Sequence, residues 1–168
     1  MPLALVLAVA LVLGMLLASR QARAGERIVT LDDLYQQHAK TFGVDWRLVK
    51  AIAQHESREN QLAVNKADNE SIGLMQILCR PDGRGGCSNK LNVQGWNTAT
   101  RAKLLDADFN IYIGAQILSS NIAAYGVAKG IAVYNAWDQH AAPTAGPFKN
   151  QAYVDDVLAR ARSLGWTA

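Results

Sequence analysis

The sequence lacks a surplus of either charge. Its 168 residues carry 17 Lys and Arg against 14 Asp and Glu. Two of the basic residues, Arg20 and Arg23, lie in a leader-like segment, and without them 15 stand against 14, a net charge of +1. So balanced a chain has no basic face for nucleic acid or an anionic membrane, and its substrate need not be charged. Cysteine is scarce as well: there are two, and with half the residues hydrophobic the fold must rest on an apolar core rather than on crosslinks. His38, His55 and His140 stand at no metal-ligand spacing relative to Cys79 and Cys87, which argues against a metal site. Nothing repeats, and no low-complexity linker divides the chain, so one domain is expected. No segment alternates with period two for long, which excludes a predominantly sheet protein.

One long hydrophobic run is present, Leu3 to Leu17. It is shorter than the roughly 20 residues a membrane helix needs. The small-x-small triplet Ala22-Arg23-Ala24 follows it, in the form that signal peptidase accepts. Residues 1–24 therefore read as a signal peptide cleaved after Ala24, with 25–168 as the mature domain in the periplasm. Against this, no Lys or Arg precedes the run, and an uncleaved inner-membrane anchor is the alternative. Either way the remainder is exported. An even cysteine count in an exported chain predicts a Cys79–Cys87 disulfide across a Gly-rich loop, in preference to two free thiols.

The mature part reads as helices. Leu31, Leu34, Tyr35, His38 and Phe42 recur at helical spacing, and Gly43 stops them. Asp45 caps a second helix that buries Trp46, Val49, Ile52 and Ala53. Three residues beyond Ala53 the same stripe carries Glu56, and a carboxylate in that place is rare unless it is paired or has a task. A salt bridge to Arg58 or Lys50 and a catalytic role are both open on periodicity alone. From Ser57 to Glu70 the chain is polar and turn-like. A short apolar segment, 72–77, precedes the cysteine loop, and another loop runs to about Asn97. Ile111, Ala115, Leu118 and Ile122 mark a long helix capped by Asp108 and stopped by Gly126. Ile131, Val133, Tyr134 and Asn135 lie on a shorter one. After a loop with Pro143, Gly146 and Pro147, a last helix carries Tyr153, Val154, Val157, Leu158 and Ala161. The expected fold is mainly α, with long polar loops in the first half.

The wording of three segments bears on Glu56: Ala53-Gln54-His55-Glu56-Ser57, Ser71-Ile72-Gly73-Leu74-Met75-Gln76-Ile77 and Ala132-Val133-Tyr134-Asn135-Ala136. In order and approximate spacing they resemble the catalytic domain of lytic transglycosylases of the soluble-lytic-transglycosylase type, related to goose-type lysozyme. Asn110-Ile111-Tyr112-Ile113-Gly114 resembles the Asn-Ile-x-x-Gly helix of that family. The resemblance runs from about Leu31 to Tyr153 and implies a lysozyme-like helical domain. By position, Glu56 matches the single catalytic acid. Ser57, Gly73, Met75, Gln76, Tyr134 and Asn135 match positions beside the acid or against the sugar. A structural role suits some of them equally, such as a helix-end hydrogen bond for Ser57 or packing for Tyr134. The aromatic-Asn-Pro step common after Glu-Ser is absent, since the chain reads Arg58-Glu59-Asn60. The small residue common after Tyr-Asn-Ala is replaced by Trp137, and His55 has no assigned role.

The resemblance implies cleavage of peptidoglycan strands between N-acetylmuramic acid and N-acetylglucosamine, with a 1,6-anhydro product and no cofactor or metal. Burial near Met75 and Tyr134 is expected to keep Glu56 protonated near neutral pH, as donation to a glycosidic oxygen requires. The rivals are a lysozyme-type hydrolase, with Glu59, Asp68 or Glu70 as second carboxylate, and a non-catalytic glycan-binding scaffold. By analogy, service to a secretion, conjugation or pilus apparatus is the expected setting.

Overall fold

A computed structural model describes residues 27–67, 70–136 and 147–168. The apolar run with its cleavage position, Asp68, and Trp137 with His140, Pro143 and Gly146 lie outside the described residues. The chain divides at Thr30. In the first unit, residues 27–30 have no regular secondary structure. The second, Leu31–Ala168, holds the elements below.

Helix α1, Leu31–Phe42, buries Tyr35, His38 and Ala39 and stops at Gly43, whose φ of 68° suits glycine. Helix α2, Trp46–Ser57, starts where the Asp45 carboxylate accepts the Arg47 amide at 2.8 Å, the capping that the sequence anticipates. Its inward stripe is Leu48, Val49, Ala51, Ile52 and Ala53. Trp46, expected inside, is half-buried with the Arg47 guanidinium 5.3 Å from its ring centre. The short apolar segment folds back as an antiparallel hairpin, β1 Ser71–Ile72 on β2 Ile77–Leu78. Two-residue strands are too brief to leave an alternating pattern.

Helix α3, Ala107–Tyr125, is the axis of the core. Asn110, Ile111, Ile113, Gly114, Ala115, Ile117 and Leu118 are all buried, which covers nearly every side of its first three turns and requires neighbours all round. Helices α1 and α4, Val127–Ala136, pack against it, and α5, Gln151–Ser163, packs against α2 and α4. The cap of α3 is Asp106, whose carboxylate accepts the Phe109 amide at 2.9 Å, and not Asp108. Asp108 sits in the first turn and accepts a 2.7 Å hydrogen bond from His38 Nε2, so it ties α1 to the start of α3. The disulfide is present between Cys79 and Cys87. Within its loop Asp82 accepts the backbone amides of Arg84 and Gly86.

Candidate active site

Helix α2 ends at the site because its chain turns sharply there. Arg58 (φ 56°) and Glu59 (φ 60°) are consecutive left-handed residues without being glycine, a strained exit that must be held by its surroundings. Their amides both return to the Ala53 carbonyl. Glu56 is left on the last turn, facing a cleft of about 230 Å³ lined by Asn65, Ser71, Gln76, Leu78, Tyr134 and Asn135. Burial raises its pKa above the ordinary carboxylate value; the Tyr153 hydrogen bond and the charge of neighbouring His55 pull it back only in part. Neither salt bridge open to Glu56 on sequence grounds is its partner. Lys50 reaches Asp32 at 2.5 Å and Glu59 at 4.0 Å instead.

The phenol that touches the acid is Tyr153, from the first turn of α5. Its hydroxyl donates to Glu56 Oε1 at 2.8 Å. Burial first, then the Glu56 charge, holds the Tyr153 pKa well above its ordinary value, so the hydroxyl keeps its proton and acts as a donor. Oε1 is therefore committed as an acceptor, and the proton of a neutral Glu56 belongs on Oε2. One oxygen is anchored and the other is free to donate.

Tyr134, matched to a position beside the acid or against the sugar, donates to the Met75 carbonyl at 2.9 Å and lines the cleft with Glu56. That bond belongs to a set that fixes the 72–76 segment. Met75 N–H donates to Asn110 Oδ1 at 2.8 Å, and Asn110 Nδ2 donates to the carbonyls of Ile72 at 2.9 Å and Leu104 at 2.8 Å. Gly73 is required by contact: at φ 80°, an added Cβ would lie 2.2 Å from Asn110 Nδ2 and 2.3 Å from the Leu104 carbonyl. Gly114 on α3 is likewise small because the Met75 sulfur would be 2.3 Å from its Cβ. The Asn-x-x-x-Gly spacing places both residues on one face of α3, where one holds the backbone of the segment and the other admits its methionine.

Of the residues matched by position, Gln76 and Asn135 face the cleft together with Tyr134 and Glu56. Gln76, left-handed at φ 47°, donates through Nε2 to the Gly73 carbonyl at 2.9 Å. Asn135 accepts from Asn150 Nδ2 at 3.0 Å. Gly73 and Met75 are wholly inside and do not line the cleft. Ser57 donates to the Ala53 carbonyl at 3.1 Å, a helix-end bond. Among the described residues Glu56 is the one carboxylate lining this cleft. Glu59 accepts from Gln54 at 3.2 Å, and Glu70 lies 3.5 Å from Arg80 Nε. Among the described residues no three His, Cys, Asp or Glu are grouped to hold a metal ion.

The Tyr153 bond has a testable consequence. Tyr153→Phe removes a contact that lowers the Glu56 pKa, so the midpoint of Glu56 titration should move upward, read by carbon NMR of the labelled carboxyl. A midpoint that stays or falls would contradict the assigned donor.

Comparison with known proteins bears on the same residues. The family model described as the Transglycosylase SLT domain matches residues 33–154. The chain is 33% identical over 87 residues to membrane-bound lytic murein transglycosylase C of Edwardsiella ictaluri, covering 52% of this chain and 23% of that protein. It is 36% identical over 87 residues to the protein of the same name in Cronobacter sakazakii, covering 51% and 22%. The chain thus spans less than a quarter of the length of these relatives.

Proposed function

Because the chain belongs to the Transglycosylase SLT domain family, we propose that it is a peptidoglycan lytic transglycosylase, cleaving between N-acetylmuramic acid and N-acetylglucosamine. The observation that carries this reading is the carboxyl of Glu56, the one in the cleft among the described residues, protonation-prone by burial and anchored through one oxygen by Tyr153. Glu56 Oε2–H protonates the glycosidic oxygen as the bond to the muramoyl C1 breaks. The resulting carboxylate then takes the proton of the muramoyl 6-hydroxyl, whose oxygen closes onto C1 as a 1,6-anhydro ring. Atoms balance without water, and the acid is returned to its starting state. Tethering of the nucleophile to the reacting sugar replaces the positioned water that a second carboxylate would hold.

Digestion of purified sacculi tests this reading. Soluble muropeptides lighter by one water than lysozyme products are expected. Hydrated reducing ends would establish the hydrolase, and binding without release the scaffold. The scaffold is disfavoured because a glycan binder gains nothing from a desolvated acid.

The leader-like residues 1–24 support export to the periplasm, where such a substrate lies. No helix among the described residues is long and apolar enough to cross a membrane. Local wall opening for a secretion, conjugation or pilus apparatus is the wider setting we propose, by analogy.

A further inference from the structure

Next to Glu56, and outside the lining of the cleft, three partly exposed side chains form a connected row that the proposed reaction does not use. His55 Nδ1 and Asp156 Oδ2 lie 2.6 Å apart. The same Oδ2 accepts from Arg160 Nε at 2.6 Å. The Asp156 pKa is lowered, first by the Arg160 hydrogen bond and then by that of His55, so the carboxylate remains charged between its two partners. The His55 ring meets the Tyr153 ring edge-on, with centroids 4.6 Å apart and planes at 75°. Tyr153, Asp156 and Arg160 follow at i, i+3 and i+7 on one face of α5, and His55 adjoins Glu56 on α2. His55 thus braces the aromatic ring whose hydroxyl holds the acid, and Asp156 and Arg160 brace His55.

We propose that His55 is a positioning residue for catalysis, fixed by Asp156 and Arg160, which holds the Tyr153 ring at the angle from which its hydroxyl reaches Glu56. The inference rests on the function proposed above and adds to it a support that no matched motif supplies. His55 is not among the cleft-lining residues, so it acts through Tyr153 and not on the glycan. The groups facing the imidazole are Asp156 and Tyr153 from α5, with Arg160 behind Asp156 and Glu56 next along α2. A bond that served only to tie α2 to α5 would affect stability and nothing else. A bond that orients Tyr153 must also affect the acid.

The test is a double-mutant cycle between His55→Ala and Tyr153→Phe, with Asp156→Asn as a third variant that keeps the shape of the anchor. On a soluble peptidoglycan oligosaccharide, His55→Ala should lower kcat about fivefold, the worth of roughly one hydrogen bond, with KM within about twofold because the cleft is untouched. Asp156→Asn should shift kcat in the same direction. Carbon NMR of labelled Glu56 should show an upward-moved titration midpoint in His55→Ala, and this second readout does not depend on turnover. In the Tyr153→Phe background, which has already lost the hydroxyl, His55→Ala should add little to the loss of kcat and should move the Glu56 midpoint by less than it does in the wild type, leaving only the direct loss of the imidazole's charge. Full kcat and an unmoved Glu56 midpoint in His55→Ala, with a lower melting temperature alone, would overturn the proposal. So would a kcat loss that multiplies in the double variant, or a midpoint shift from His55→Ala that is equal in both backgrounds. Should the wild-type chain release no fragments, the proposed function fails while the NMR cycle still decides the link from His55 to Glu56.

Discussion

Glu56→Gln should reduce the release of soluble fragments from sacculi at least about a hundredfold, and the folded protein should become more stable at neutral pH. The amide keeps the shape and can still accept from Tyr153, but it can neither give nor take the proton. The stability half follows from the direction of the pKa shift. Burial raises the folded-state pKa of Glu56 above its unfolded value, so its favourable contribution is fully present below the unfolded pKa. That contribution is lost as pH rises through the folded pKa. At neutral pH the wild type therefore bears the cost of a desolvated acid, and the glutamine does not. Denaturant unfolding should show the variant ahead of wild type near neutrality, with the gap closing in acid. A variant of near-full activity would remove Glu56 from the mechanism, and a variant less stable at neutral pH would contradict its burial.

Asn110→Ala should be the most damaging change away from the acid, costing about 3–5 kcal/mol. The Asn110 side chain is 1% exposed and makes three hydrogen bonds, to Met75 N–H and to the carbonyls of Ile72 and Leu104. Truncation leaves these backbone groups without their buried partner in a place where water would have to enter. The 72–76 segment would loosen, and Gln76, which it presents to the cleft, would lose its fixed position, so activity should fall even in protein that remains folded. Asn110→Asp tests the chemistry: it replaces the donor facing two carbonyls by a second acceptor and should be no better tolerated than alanine. A loss below about 1 kcal/mol on chemical denaturation would show that the segment holds itself.

Much of this was legible in the sequence, and the exceptions share a cause. The helices and the approach of Glu56 to the inward face came from periodicity, a local property of the chain. The position of the acid's partner did not. Tyr153 sits on the same stripe as Val154, Val157 and Ala161 and reads as core; only the packing of α5 on α2 aims its hydroxyl at Glu56. Tyr134 matches a position beside the acid or against the sugar and does line the cleft, but the sequence holds no sign that its hydroxyl is taken by the Met75 carbonyl. Gly73 and Met75 match positions beside the acid or against the sugar, and both are buried, in contact with Asn110 and Gly114. The cap of α3 was misplaced by two residues because Asp106 and Asp108 are chemically alike. What separates them is His38, 70 positions from Asp108 in sequence. Burial and the neighbours of a side chain depend on such distant pairings, which no spacing rule contains.

Reaction in water enriched in oxygen-18 addresses the central claim most directly, because the proposed mechanism closes the muramoyl ring with an oxygen already in the substrate. Fresh products, separated and weighed by mass spectrometry, should carry anhydro ends with no label, in the wild type and absent from Glu56→Gln. Labelled oxygen at the muramoyl C1 would mean that water is the nucleophile, and the one-carboxylate account would be wrong.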